Sequence, residues 1–86
     1  MENCSMIMAI LQENRVETAK AVQDVLTKYG CFIRVRLGIH DSAVDQCSNS
    51  GMILLQLCGE NLPASEMEQE LQSIPYVKVR YMKLDF

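Results

Sequence analysis

Residues able to do chemistry gather in one short segment of the chain. His40 is the single histidine, Asp41 follows it directly, and Cys47 comes seven residues later. All three types ligate metals, and an oligomer could supply the missing ligands from a neighbouring subunit. One histidine with neither a second histidine nor a spaced cysteine pair is a weak metal signal. A solvent-exposed imidazole at a strand end, with Asp41 opening a turn, is the simpler account. Just upstream, Arg34 and Arg36 stand two residues apart. Guanidinium groups bind carboxylate or phosphate through a bidentate fork, so the pair could form an anion site on an open sheet face. The competing readings are a charged strand face that discourages aggregation and a protein interface, where Arg is enriched.

The four cysteines, at 4, 31, 47 and 58, include no CxxC pair, which argues against a zinc ribbon or a thioredoxin-like centre. An even cysteine count suggests a disulfide framework only in a secreted chain, and no basic region followed by an apolar run marks a signal peptide. Reduced, structural thiols in a cytoplasmic protein are therefore expected, with Cys31 and Cys58 acting as small apolar side chains. Six methionines, among them Met6, Met8, Met52 and Met67, read as core filling. Neither a phosphate-binding glycine loop nor HExxH is present, and no Ser-His-Asp order. A non-enzymatic role is expected.

These residues depend on the segment Cys31–His40, CFIRVRLGIH, which alternates strictly. Successive side chains of a strand point to opposite faces. The pattern predicts a half-buried strand with Ile33, Val35, Leu37 and Ile39 on the apolar face and Arg34, Arg36, Gly38 and His40 on the other. Upstream, after a short leader at Met1–Cys4, Ser5–Gln12 is almost continuously apolar, as in a central strand covered on both faces. Asn14 and Glu17 have capping-box spacing. Val16, Ala19, Val22, Val25, Leu26 and Tyr29 then recur at helical intervals for about four turns, and Gly30 stands where a left-handed C-cap is expected. Downstream, Asp41–Gly51 is a polar connecting loop, Met52–Cys58 a third strand and Gly59–Asn61 a turn. Pro63 opens a second helix with Ala64, Met67, Leu71 and Ile74 as its apolar stripe. Pro75 stops it. Tyr76–Lys83 returns to alternation, with Val77, Val79 and Tyr81 inward.

The order β-α-β-β-α-β is the ferredoxin-like pattern of an α+β sandwich. Right-handed crossovers place both helices on one face of a four-stranded antiparallel sheet. With 86 residues and 49% hydrophobic composition, residues 1–86 form a single domain with one modest core. The other sheet face stays open, and an apolar patch of that kind calls for a second subunit. A homo-oligomer, dimer or tetramer, is expected. No stretch approaches the ~20 apolar residues that span a bilayer. The net charge of −3 and the acidic helices argue against direct nucleic-acid binding. An RNA-recognition domain would need stacking aromatics on its central strands, which here are rich in Met, Ile and Leu.

Laid out this way, the chain resembles the regulators associated with iron-only hydrogenase systems. Those proteins are themselves similar to free-standing ACT-like domains and to the C-terminal domain of nickel-responsive repressors. The resemblance covers nearly the whole length and is best in ENRVETAKAVQDVLTKYG, RVRLGI and LQSIPYVKVR. Glu13-Asn14-Arg15 matches the acidic residue plus Arg at the end of the family's first strand. Tyr29-Gly30 matches its helix terminus, and Arg36-Leu37-Gly38-Ile39 its Arg-x-Gly-hydrophobic signature. His40 and Asp41 depart from the family, as does Pro75-Tyr76-Val77, and the several histidines of the nickel site have at most His40 and Cys47 as counterparts. The resemblance implies an ACT-like regulatory or ligand-sensing domain. Its effector, a small molecule or a metal ion, would bind near Arg34, Arg36, Gly38, His40 and Asp41 at a subunit interface. Any transcriptional control would act through a protein partner. A protein-interaction or metal-binding module without sensing is the alternative.

Overall fold

The computed structural model describes residues 4–13, 15–39 and 50–84. Its elements are β1 (Met6–Gln12), α1 (Arg15–Lys28), a 3-10 turn at Gly30–Phe32, β2 (Ile33–Ile39), β3 (Gly51–Leu57), α2 (Ala64–Gln72) and β4 (Val77–Lys83). The strands form one antiparallel sheet in the order β2-β3-β1-β4. With two helices between the strands, this is the ferredoxin-like α+β arrangement. β1 is an inner strand, hydrogen-bonded to β3 on one edge and β4 on the other. Within this chain its apolar run is covered on one face only, with Met8 and Ile10 buried and Leu11 40% exposed.

Alternation along the strands divides the sheet into two faces. Met8, Ile10, Ile53, Leu55, Leu57, Val77 and Val79 are buried against Val22 and Leu26 of α1, Tyr29 just after it, and Met67 and Leu71 of α2. The opposite face carries Ile7, Ala9 and Leu11 of β1, Met52 and Leu54 of β3, and Lys78, Arg80 and Met82 of β4, in register with one another. Neither helix covers it.

The α1 stripe is narrower than its spacing suggests. Val16 is 82% exposed and Ala19 is exposed as well, while Thr18 is buried in their place. The reason is local: the buried Gln12 donates from Nε2 to Thr18 Oγ1 at 3.3 Å, and that hydroxyl donates to the Glu13 carbonyl at 3.4 Å. This polar pair sets the rotation of the first turn. At the other end Gly30 is not a left-handed cap but the start of the 3-10 turn, where the Phe32 N–H bonds to the Tyr29 carbonyl at 3.0 Å. Left-handed backbone occurs instead at Gly59, Asn61 and Tyr76. A Cβ on Gly59 would lie 3.0 Å from the Phe32 ring, so a close approach as well as a positive φ requires glycine there.

Two further expectations are corrected. The segment Cys31–His40 is not one alternating strand: Cys31 and Phe32 belong to the 3-10 turn, and β2 is bulged between Ile33 and Val35. A bulge adds one residue and reverses the facing of everything after it. Ile33 therefore packs against the helix-side core, while Val35, Leu37 and Ile39 turn to the open face at 50%, 52% and 45% exposure. The cysteines are not all reduced either, because Cys4 and Cys58 form a disulfide and Cys31 is exposed rather than apolar filling. Antiparallel pairing of β1 with β3, Met6 opposite Leu57, brings the two ends together.

Candidate functional site

The bulge separates the two arginines. Arg34 sits within it, and its Nη1 donates toward Cys4 Sγ at 3.6 Å. Arg36 pairs with Leu55 on the helix side of the sheet. They form no joint anion site and do not lie together on the open face. Each serves a different end of the molecule.

Arg36 and Gly38 border a hollow of about 210 Å³ between α1 and the β2 edge. Ala19, Val22 and Gln23 of α1 line one wall, and Gln12, Gly51 and Ile53 form the floor. Space at this point follows from sequence. No atom lies within 4 Å of where a Cβ on Gly38 would stand, and Gly51 presents no side chain beside it. The hollow thus combines one guanidinium, two side-chain amides and an aliphatic wall. Such a mixture suits a small molecule with an anionic or polar head and a short apolar body. Ile39 and Met52, which are paired on the open face, also contribute to its lining.

His40, Asp41 and Cys47 lie outside the described residues, as does most of the Asp41–Gly51 loop. Among the described residues, no group of three or more His, Cys, Asp or Glu side chains is arranged to hold a metal ion. Gln12 and Gln23 were not singled out from sequence. Gln12 carried a signal, since a polar residue ending an apolar run at a core-facing position must find a buried partner.

An ionic cluster among the described residues lies between the helices. Glu70 accepts hydrogen bonds from Lys28 Nζ at 3.0 Å and from the Tyr29 hydroxyl. The Tyr29 hydroxyl and the Lys28 ammonium hold the Glu70 carboxyl below its ordinary value, and Glu70 in turn raises both Tyr29 and Lys28. This cluster clamps α1 to α2.

No family model matches the chain, and no curated protein matches it in sequence. Solved structures do. An uncharacterized protein from Thermotoga maritima superposes with a TM-score of 0.78 at 24% identity, covering 93% of this chain and 95% of that one. A formyltetrahydrofolate deformylase from Pseudomonas putida matches with a TM-score of 0.61 at 10% identity over 92% of this chain but only 28% of its own. These likenesses establish the fold. Among the described residues no helix is long and apolar enough to cross a membrane.

Proposed function

We propose that the protein is a non-enzymatic, ligand-sensing regulatory domain, oligomeric through its open sheet face and related to the regulators of iron-only hydrogenase systems that its sequence resembles. One observation carries the reading. The hollow bordered by Arg36 and Gly38 shares Ile39 and Met52 with the apolar open face. A ligand seated there would touch the edge of whatever covers that face, so binding and assembly would be coupled. Coupling of this kind is reciprocal: an effector that favours the assembled state binds that state more tightly.

Native mass spectrometry of anaerobically purified protein tests subunit number and bound mass together. A dimer or tetramer carrying a small molecule, lost on Arg36→Ala, is the expected result. A monomer at micromolar concentration overturns the oligomeric part of the reading. Bound mass that survives Arg36→Ala overturns the assignment of the site.

A further inference from the structure

Three cysteines lie toward the end of the sheet away from the Arg36 hollow. The disulfide joins Cys4, just before β1, to Cys58, just after β3. Cys31 is exposed in the 3-10 turn, next to Phe32, whose carbonyl accepts the Cys58 N–H at 2.8 Å. The two bridged residues differ in access, Cys4 being 6% exposed and Cys58 half-buried. A hollow of about 470 Å³ lies nearby, its lining including Ser5 and Gly59 but neither cysteine. Ser5 and Gly59 are the chain neighbours of the two cysteines. Arg34 points Nη1 of its guanidinium at Cys4 Sγ, 3.6 Å away.

We propose that Cys4–Cys58 is a reversible thiol–disulfide exchange site, with a low-molecular-weight thiol as its reductant and Arg34 as the residue that sets which sulfur leaves. A thiolate attacks the Sγ of Cys58, the less buried residue of the pair. The S–S bond breaks, and its electron pair departs on Cys4 Sγ as a thiolate facing Arg34. A second thiolate then attacks the external sulfur of the mixed disulfide and releases Cys58. Two protein sulfurs are reduced, two reductant thiols become one disulfide, and the two protons they lose protonate Cys4 and Cys58. The guanidinium matters because exchange is faster when the departing sulfur is the more stable anion, and a neighbouring Arg stabilises a thiolate. A purely structural cross-link has no need of a cation aimed at one of its sulfurs.

The sheet survives the exchange. β1 keeps its hydrogen bonds to β3 from Met6 to Gln12 and to β4 along its whole length. Beyond them the Gln56 Nε2 still donates to the Cys4 carbonyl at 2.9 Å, and the Leu84 N–H to the Ser5 carbonyl at 2.8 Å. Reduction therefore releases the Cys4 and Cys58 side chains without unpairing the central strand.

The experiment uses the full chain carrying Cys31→Ser and Cys47→Ser, so that the pair is followed alone. Oxidised protein is reduced with dithiothreitol at pH 7 without denaturant, quenched by alkylation and weighed. Arg34→Gln should slow reduction about fivefold to tenfold, while Arg34→Lys should retain most of the rate. Glutathione should trap on Cys58 with Cys4 alkylated. In the Cys58→Ser variant the Cys4 thiol should ionise below the ordinary ~8.5 and return toward it on Arg34→Gln. Four outcomes overturn the proposal: no disulfide in oxidised protein, reduction only in denaturant, glutathione on Cys4, or an unchanged rate and Cys4 ionisation in Arg34→Gln. Circular dichroism of each variant separates these outcomes from misfolding.

Discussion

The two faces of this sheet are built from the same four strands, yet they differ in what their apolar residues do. Leu54 and Leu55 are consecutive on β3. Leu55 is fully buried under the helices, whereas Leu54 lies half-exposed on the other side, paired with Leu37. On the helix side Met8, Ile10, Ile53, Leu55, Leu57, Val77 and Val79 of β1, β3 and β4 are all buried. On the open side Leu11, Val35, Leu37, Ile39 and Met52 stay exposed, with Lys78 and Arg80 along the β4 edge. One face holds the monomer together. The other is apolar without contributing to that core, and it is the face that the proposed oligomer would cover.

Removing a side chain from each face should separate these roles. Leu55→Ala empties a site in the packed core and should cost about 2–5 kcal/mol, seen as a lower urea midpoint at unchanged slope. Met67→Ala on α2 should fall in the same range, because Met67 is fully buried at the same interface. Leu37→Lys should act differently. It should leave the folded monomer within about 0.5 kcal/mol of wild type and abolish assembly in sedimentation velocity. Wild type should melt at a temperature that rises with protein concentration, and Leu37→Lys should lose that dependence. Equal loss of stability from Leu37→Lys and Leu55→Ala, without a change of assembly state, would remove the distinction between the faces.

Sequence pattern located most of this architecture, and it failed for identifiable reasons. Element order and the Met67–Leu71 stripe of α2 follow from periodicity, and the central place of β1 from its almost continuous apolar run; both report the gross division between apolar and polar positions. The facing of β2 did not follow. Its residues alternate whether or not a bulge is present, and one inserted residue at Arg34 exchanges the two faces without altering the pattern. The same insertion parted Arg34 from Arg36 and gave them unrelated partners. The disulfide was hidden for another reason, since 54 residues separate its cysteines and only the β1–β3 register brings them together. Gly38 and Arg36 were legible as candidates, but the hollow they border depends on α1 crossing above them.

That hollow lies where the two faces meet, so Arg36→Ala sharpens the comparison at its boundary. The substitution lies on an exposed strand edge and should change the stability of unliganded protein by no more than about 0.5 kcal/mol. Its effect should appear only with effector present. A ligand at a hundredfold excess over Kd stabilises wild type by about 2.7 kcal/mol, and Arg36→Ala should lose most of that shift in a thermal melt. An equal shift in both proteins would place the ligand elsewhere.

The smallest effect expected comes from the Lys28–Tyr29–Glu70 clamp, which lies on the helix side and should be indifferent to assembly. Glu70 titrates below its ordinary 4.5 in the folded protein, so across that interval the unfolded chain binds more protons. The stabilisation it gives is complete above the ordinary value and is lost as pH falls through the folded one. Lys28 and Tyr29 are raised from 10.5 and 10.0, so their share is present below those values and is lost as pH rises through the folded ones. Stability should therefore hold between about pH 5 and pH 10 and decline on both sides. Glu70→Gln removes the charge that couples all three groups. The variant should differ slightly from wild type at neutral pH and show a shallower loss between about pH 5 and pH 3 in urea unfolding. The same substitution made in the Leu37→Lys background tests whether the clamp belongs to the monomer alone. If Glu70→Gln has the same effect in both backgrounds, the helix face is independent of the open one. An effect that vanishes in the monomer would mean that covering the open face also tightens the helices above it.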